Sequence, residues 1–436
     1  MEAGPGFTLE VSQNEYLSVD DDEMQAVLTV TGHGAGRDAG PGPVGQRRAE
    51  VILVDCSSSM DGTKISAARQ ATAAAIDTLK DGTLFAVVEG TDQARMVYPA
   101  EERMATASRA TREGAKKAVR KLDARGATSI HAWLALARRL FAGTTAEIRH
   151  AILLTDGQNY PPAEEDLHQE VDRCVGVFSC DPRGIGEDWD PRDLRMIAAR
   201  LDGKADAAGG PAELEADFRA MAEAAMGKAV PSVRLRIRML PGLRIRFLRR
   251  VYPALAEPPW EKASEDGRTV EYDLGAWGDE VREYLICLAV GPDAPERVRG
   301  ESIRLARVDL LTSDPAEGPA GPRGAILVRW TTDPVELTQL DPKVEHYTGQ
   351  TELSELVNGG YDAYQREAYE EAALHWGKAL EKAAAAGREE LRERLKRLVR
   401  LDEAGVPRLR PDLQELDSKM ASVISDHFSR SSGEGA

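Results

Sequence analysis

The sequence predicts a doubly wound α/β domain that is inserted into a β-sandwich and followed by a small helical region. Strands alternate with helices from residue 49 to residue 228, which favours parallel crossovers with helices on both faces of a sheet. Past this stretch the pattern becomes β, and two orphan strands precede it. The expected boundaries are 1–48 for the N-terminal strands and a linker, 49–228 for the α/β domain, 229–345 for the sandwich, 346–402 for the helical region and 403–436 for a partly disordered tail.

The N-terminal strands are predicted at Phe7–Val11 and Ala26–Thr31. Two strands alone cannot bury a hydrophobic face, so they need a partner sheet elsewhere in the chain. We expect them to complete the later sandwich, so that the α/β domain is an insertion whose ends lie close together. The glycine-rich segment Gly32–Arg48 is typical of a flexible linker.

Two fully apolar strands organise the α/β domain. Val51–Val54 and His150–Thr155 are predicted strands, and each is followed by an acid, Asp55 or Asp156. A hairpin is expected to add an antiparallel edge to an otherwise parallel sheet. The other predicted elements are the hairpin strands Thr83–Glu89 and Ala94–Tyr98, the strand Val175–Cys180, and the helices Lys64–Lys80, Ser108–Leu122, Thr128–Phe141, Ala163–Cys174, Pro191–Leu201 and Ala212–Met226.

The second domain is predicted from alternation with a period of two residues. Arginines alternate with apolar residues in VRLRIRMLPGLRIRFLRR, as expected for strands that expose one face to water. The predicted strands are Val233–Met239, Leu243–Leu248, Thr269–Leu274, Glu283–Val290, Ser302–Leu311 and Gly324–Trp330.

The stretch Thr351–Leu401 is helical and charged, with Gly387 expected to end one helix. The run AYEEAALHWGKALEKA resembles half of a tetratricopeptide unit, but a solenoid needs about three repeats. A helical appendage packed on the sandwich is therefore favoured. The final SRSSGEGA is predicted to be disordered.

Composition limits the classes of partner. The chain of 436 residues has a formal net charge of −17, whereas proteins that bind nucleic acids are usually basic. The N-terminus lacks the pattern of a signal peptide, and no apolar run reaches the roughly 18 residues that a membrane span needs. The four cysteines are scattered, which argues against zinc and disulfide frameworks and favours a cytoplasmic protein.

Three separated segments carry the oxygen-bearing side chains that suggest a metal site. Asp55, Ser57 and Ser59 follow the first buried strand as D-x-S-x-S, Thr128 follows a glycine at a helix start, and Asp156 ends the second buried strand. Each segment alone has a simpler explanation as a turn or a helix cap. In a doubly wound sheet, however, ligands collect at the carboxyl ends of the strands, where all three lie. Hard oxygen donors of this kind suit Mg²⁺ or Mn²⁺.

The three segments resemble the metal-ion-dependent adhesion site of the von Willebrand factor type A (VWA) family, and the five donor positions complete its pattern. The resemblance covers about residues 49–228 and includes DGTKISAARQA and GIGEDWDPRDLRMIA. The flanking β segments are similar to those of actinobacterial VWA proteins. That resemblance implies a Rossmann-like domain and, from the typical gene neighbours of that group, a link to serine/threonine kinase and phosphatase signalling.

The resemblance also implies roles for the five donors. Ser57, Ser59 and Thr128 would bind the ion directly, while Asp55 and Asp156 would act largely through water. A partner's Asp or Glu would fill an open position on the ion. We therefore expect a cation-dependent protein-interaction module, acting as an adaptor or scaffold in bacterial signalling or stress response. Its oligomeric state stays open.

Two alternatives use the same surface. A metal-dependent phosphatase or hydrolase would want a second acid where Ser57 stands, and no positioned base or nucleophile accompanies the three segments. An adaptor for an AAA+ ATPase is not distinguishable by sequence. His131 is interpreted as a surface or packing residue, Asp61 as a rim residue that tunes the approach of partners, and Cys174 and Cys180 as buried small residues.

Overall fold

The computed structural model describes residues 6–33, 48–157, 164–208, 210–291, 300–312 and 321–430. The chain forms two compact units, and the described parts of each are considered separately. One unit contains residues 33–232 and 275–279, and the other contains residues 6–32, 233–274 and 280–436. The predicted α/β domain corresponds to the first unit. The second unit combines the N-terminal strands with the later β and helical segments.

The α/β unit follows three N-terminal strands in the chain. Those strands are β1 (Gly6–Gln13), β2 (Tyr16–Ser18) and β3 (Glu23–His33). The α/β unit contains the strands β4 (Arg48–Asp55), β5 (Leu84–Gly90), β6 (Ala94–Tyr98), β7 (Ala105–Thr106), β8 (Ile148–Thr155), β9 (Ser179–Ile185) and β10 (Asp206–Ala208), and the helices α1 (Thr63–Thr78), α2 (Arg109–Val119), α3 (Ile130–Ala142), α4 (Glu164–Cys174), α5 (Pro191–Arg200) and α6 (Pro211–Gly227).

The α/β sheet has the strand order β10-β9-β8-β4-β5-β6, with β7 also paired to β5. Strands β10, β9, β8, β4 and β5 are parallel, and the hairpin strand β6 adds the expected antiparallel edge. The chain runs from β4 outward to β5 and returns on the other side to β8. The carboxyl ends of β4 and β8 therefore lie side by side at the point where the strand order reverses.

Both faces of this sheet are covered, as the apolar runs predict. On β4, Ile52 and Val54 pack with residues of α1, α2 and α6, while Val51 and Leu53 pack with residues of α3, α4 and α5. Strand β9 begins four residues later than predicted. The reason is that Gly176 takes the left-handed φ of +73°, so the residues before Ser179 form a turn.

A buried histidine connects three neighbouring strands of the sheet. His150 on β8 contacts Glu50 on β4 through Nδ1 at 2.8 Å and Asp181 on β9 through Nε2 at 3.2 Å. Burial alone would lower the pKa of His150, but the charge of Glu50 and the contacts with Asp181 raise it to about 10. The imidazole is therefore held as a cation by Glu50 and Asp181, although burial raises the pKa of Glu50.

The second unit contains the two sheets of the sandwich. Their orders are β1-β3-β15-β12 and β13-β14-β11-β16-β17-β2, so the N-terminal strands enter both sheets. The later strands of this unit are β11 (Val233–Met239), β12 (Leu243–Tyr252), β13 (Trp260–Ala263), β14 (Thr269–Asp273), β15 (Val281–Val290), β16 (Ser302–Thr312), β17 (Arg323–Thr331), β18 (Val399–Leu401) and β19 (Pro407–Leu409), and its helices are α7 (Pro334–Leu337), α8 (Pro342–Gln365), α9 (Tyr369–Ala385), α10 (Glu389–Leu398) and α11 (Glu415–Ser425).

This arrangement confirms the predicted fold class. Strand β3 pairs antiparallel with β15, and β2 pairs parallel with β17, so the α/β domain is inserted between strands of one sandwich. Alternate residues of β11 are buried, in line with one dry and one wet face. The predicted linker lies largely outside the described residues, since β3 ends at His33 and β4 begins at Arg48.

The helical region packs on the sandwich. Val344 and Tyr347 of α8, together with Phe428, contact Val27 and Leu285 of the four-stranded sheet. The segment after residue 403, which is expected from the sequence to be a partly disordered tail, forms β19 and α11. The last six residues of the predicted disordered SRSSGEGA lie outside the described residues. No helix in the described ranges is long and apolar enough to cross a membrane.

Candidate metal centre

Asp55 connects the two strand ends at which the predicted donors lie. Its carboxylate is fully buried at the end of β4. Oδ1 accepts a hydrogen bond from the backbone N–H of Ser57 at 2.8 Å, and Oδ2 accepts one from Oγ1 of Thr155 at 2.7 Å. The backbone N–H of Asp156 donates to the same Oδ2 at 3.3 Å. One buried acid therefore holds the first loop against the end of β8.

The two serines and Asp156 form one hydrogen-bonded group. A short 3-10 turn at Ser58–Met60 places the Oγ atoms of Ser57 and Ser59 3.0 Å apart. Ser59 donates to Oδ1 of Asp156 at 2.7 Å, and Ser57 Oγ lies 3.5 Å from the same oxygen. Ser59 is exposed while Asp156 is buried, so the group opens toward solvent on the side of Ser59.

Thr128 borders the same space through its hydroxyl. A Cβ added at Gly157 would lie 3.0 Å from Thr128 Oγ1 and 3.7 Å from Ser59 Oγ. Gly157 thus leaves room that any larger residue would reduce. The structure brings all five predicted donors to this one place at the carboxyl ends of β4 and β8.

The threonine loop is held in position by backbone contacts. Gly126 has a φ of +75°, and its carbonyl accepts hydrogen bonds from both the N–H and the hydroxyl of Ser58, each at 3.0 Å. Trp133 on α3 donates from Nε1 to the carbonyl of Thr91 at 2.7 Å and packs against Gly90 so closely that a Cβ there would lie 2.4 Å from the ring. The start of α3, which follows Thr128, is therefore fixed to the end of β5.

Lys64 is a charged neighbour of the site that sequence reasoning missed. Its Nζ lies 2.6 Å from Oδ2 of Asp156 and 3.6 Å from Oδ2 of Asp188. Burial works to lower the pKa of Lys64, but the hydrogen bond and charge of Asp156 together with Asp188 raise it. Lys64 follows the D-x-S-x-S loop by a few residues, and only the fold brings it to an acid 92 positions away.

Burial also affects the acids and thiols. It raises the pKa of Asp55 to about 6, although hydrogen bonds from Ser57 and Thr155 counteract the shift. It raises the pKa of the Cys56 thiol well above its usual range, and all four cysteines are free and buried.

Asp61 is exposed at the loop, where its Oδ1 accepts a hydrogen bond from the N–H of Gly62 at 2.8 Å. His131 is half-buried on α3.

The donor set fits a hard divalent cation. Within the described ranges, no group of three or more His, Cys, Asp or Glu residues is arranged to hold a metal ion. The arrangement found here consists of three hydroxyls and two buried carboxylates around the space beside Gly157. Oxygen-only donors select Mg²⁺ or Mn²⁺ rather than thiophilic metals. The residues therefore fit such an ion.

The fold and the site identify the class of protein. The sequence profile of the von Willebrand factor type A domain matches residues 50–207. A von Willebrand factor type A protein from Catenulispora acidiphila has 37% identity to this chain, with 98% of both chains covered and a TM-score of 0.88. The chain belongs to the VWA family. Domains of this family typically mediate metal-dependent protein interactions, and their adhesion-site motifs bind divalent cations.

More distant relatives extend the comparison. The ArnB paralog VWA2 from Sulfolobus acidocaldarius is 14% identical, covers 97% of this chain and 98% of its own, and has a TM-score of 0.56, which indicates a common fold. An uncharacterized protein of Synechocystis sp. is 25% identical over 279 residues, which are 61% of this chain. The chain spans 62% of the length of that curated relative.

Proposed function

We propose that the protein is a Mg²⁺-dependent protein-interaction module, which binds a partner through an Asp or Glu carboxylate of that partner. The observation that carries the proposal is the convergence of Ser57, Ser59 and Thr128 hydroxyls with the carboxylates of Asp55 and Asp156. A bound Mg²⁺ supplies an electrophilic position that an external carboxylate can fill, because the ion keeps exchangeable water ligands. Mn²⁺ would serve the same purpose.

The residues of this chain have distinct roles in the proposal. The serine and threonine hydroxyls offer neutral oxygens, which leave most of the charge of the ion uncompensated. Asp55 orients the first loop, because its two oxygens accept from Ser57 N–H and Thr155 Oγ1. Asp156 orients Ser59 by accepting a hydrogen bond from its hydroxyl. The resemblance to the VWA family implies direct contact from the hydroxyls and contact through water from the acids.

A binding role is favoured over hydrolysis by the groups around the centre. Position 57 carries a hydroxyl that belongs to the donor group rather than a second acid that could act as nucleophile or base. The neighbouring Cys56 thiol is buried with a raised pKa, which makes it a poor nucleophile. We propose that the protein acts as an adaptor or scaffold in bacterial signalling or stress response. Four free, buried cysteines support a reducing compartment such as the cytoplasm.

A pull-down with the full chain tests this proposal. The immobilised protein is incubated with cytosol of the source organism in Mg²⁺ or in EDTA, and bound proteins are compared by mass spectrometry. We expect specific partners that elute with EDTA, that are lost with the double variant Ser57→Ala/Ser59→Ala and that are kept with Thr78→Ala, whose hydroxyl donates to the carbonyl of Ala75 at the far end of α1. Mg²⁺-dependent turnover of p-nitrophenyl phosphate that is lost in Asp55→Ala would instead support a phosphatase.

A further inference from the structure

Lys64 places a positive charge directly on one of the proposed metal-site acids. Its Nζ lies 2.6 Å from Oδ2 of Asp156, while Oδ1 of the same carboxylate accepts from Ser59 at 2.7 Å. Both oxygens of Asp156 are thus engaged, one by a hydroxyl and one by an ammonium. The positive charge of this ammonium repels an incoming cation.

The fold holds this ammonium in position from two further sides. Asp188 provides a second acidic contact at 3.6 Å. Gly186 provides the room, because a Cβ at that position would lie 2.7 Å from Cε of Lys64 and 2.9 Å from Nζ. Lys64 itself lies in the first turn of α1, directly after the D-x-S-x-S loop. Its side chain is 26% exposed, so the charge is partly accessible to solvent.

We propose that Lys64 couples the binding of the cation to the binding of the partner's carboxylate. This inference rests on the proposed function. Asp55, Asp156 and Asp188 carry three negative charges, and Lys64 reduces this sum to two. A divalent ion then brings the sum to zero, whereas without the lysine it leaves one negative charge. Lys64 therefore makes the site more positive by one unit at every step, which weakens binding of the ion alone and favours binding of the external carboxylate.

The size of the effect follows from the distance. A unit charge within about 4–6 Å changes the proton affinity of a carboxylate by about 1–3 pKa units, which is a tenfold to thousandfold change. Lys64 is closer than that to Asp156, and the proposed ligand is doubly charged. We therefore expect Lys64→Met to raise the affinity for Mg²⁺ in chloride by about tenfold or more.

Two control variants test whether the effect of Lys64→Met comes from the lost charge. One controls for the shape of the side chain, and the other controls for the loss of an ion pair elsewhere in the domain. Lys64→Arg keeps the positive charge and should change the Mg²⁺ affinity by about threefold at most, well short of the tenfold charge effect. Lys116→Met removes a lysine of the same domain that is paired with Asp77 at 2.7 Å, outside the site. It should leave the Mg²⁺ affinity unchanged. Far-ultraviolet circular dichroism checks that each variant is folded.

The test is isothermal titration of Mg²⁺ into the full chain, first in sodium chloride and then in sodium acetate at equal ionic strength, where acetate stands in for the partner's carboxylate. We expect tighter Mg²⁺ binding in acetate than in chloride for the wild type, and loss of that gain in Lys64→Met. Equal Mg²⁺ affinities of wild type and Lys64→Met, or an acetate gain that survives in Lys64→Met, would overturn the role of Lys64. Absence of Mg²⁺ binding by all variants would instead overturn the proposed function.

Discussion

Replacement of Gly157 by alanine adds one methyl group to the wall of the proposed metal site. The new Cβ would lie 3.0 Å from Oγ1 of Thr128, whereas ordinary contacts begin at 3.4 Å. The threonine hydroxyl must therefore retreat by the difference, about 0.4 Å. The second nearby hydroxyl, Ser59 Oγ at 3.7 Å, already has ordinary contact distance and need not move.

This small movement should have a large effect on metal binding and a small one on folding. Metal–ligand distances are held to within about 0.2 Å, so a displacement of about 0.4 Å removes Thr128 as an effective donor. Changes to the surroundings of metal ligands typically cost 10–100-fold in affinity, and we expect a loss of at least about tenfold for Mg²⁺. The overpacking cost of about 1 kcal/mol is offset in part by about 0.4–1 kcal/mol from the stiffer unfolded chain.

The assay combines isothermal titration with Mg²⁺ and thermal unfolding in EDTA. Gly227→Ala is the matched control, because Gly227 is the exposed last residue of α6 and a Cβ there meets nothing within 4 Å. The control should keep both the affinity and the melting temperature. Wild-type Mg²⁺ affinity in Gly157→Ala would refute the placement of Thr128 as a donor. A large loss of stability in EDTA would show that Gly157 is needed for folding rather than for space beside the ion.

Two further predictions concern the scaffold around the site. His150→Gln leaves the buried acids Glu50 and Asp181 without their cation, and should lower the free energy of unfolding by about 3–5 kcal/mol at pH 6. Because the pKa of His150 is raised to about 10 in the folded state, its stabilisation is complete below about pH 6.5 and is lost as the pH rises through 10. The difference in the free energy of unfolding between variant and wild type, measured with urea, should decrease over that pH range. A difference that stays constant would contradict a charged His150. Gly90→Ala would place Cβ 2.4 Å from the Trp133 ring, so we expect a loss of about 1–3 kcal/mol in the same assay, with Gly227→Ala unaffected. Unchanged stability of Gly90→Ala would contradict that packing.

Much of the fold could be predicted because its elements have clear periods. The buried strands β4 and β8 are long apolar runs, and the arginine alternation of β11 identifies a strand with one wet face. Very short strands such as β2 and β10, each of three residues, are too short to show any period. Strand β9 was misplaced because Val175–Phe178 is apolar but contains Gly176, whose positive φ makes a turn.

In the candidate site, too, local patterns reveal some residues and not others. Its five oxygen-bearing side chains could be picked out from the sequence because each lies in a short motif directly after a strand or before a helix. Lys64 could not, since its importance depends on a contact with an acid 92 positions away. The same holds for Glu50, an isolated acid in an apolar strand, whose partner His150 is 100 positions distant. The first pair depends on where α1 packs and the second on the register of β4 and β8, and local patterns determine neither.

Stoichiometric titration of Mn²⁺, followed by electron paramagnetic resonance, tests the central claim most directly. We predict one bound Mn²⁺ per wild-type chain and per Thr78→Ala chain, and none in Ser57→Ala/Ser59→Ala. At Mn²⁺ about 100 times the dissociation constant, the wild type should also gain about 2.7 kcal/mol of stability. Mn²⁺ that stays free in the presence of the wild type, or that binds the double serine variant equally well, would contradict a metal centre built from these side chains.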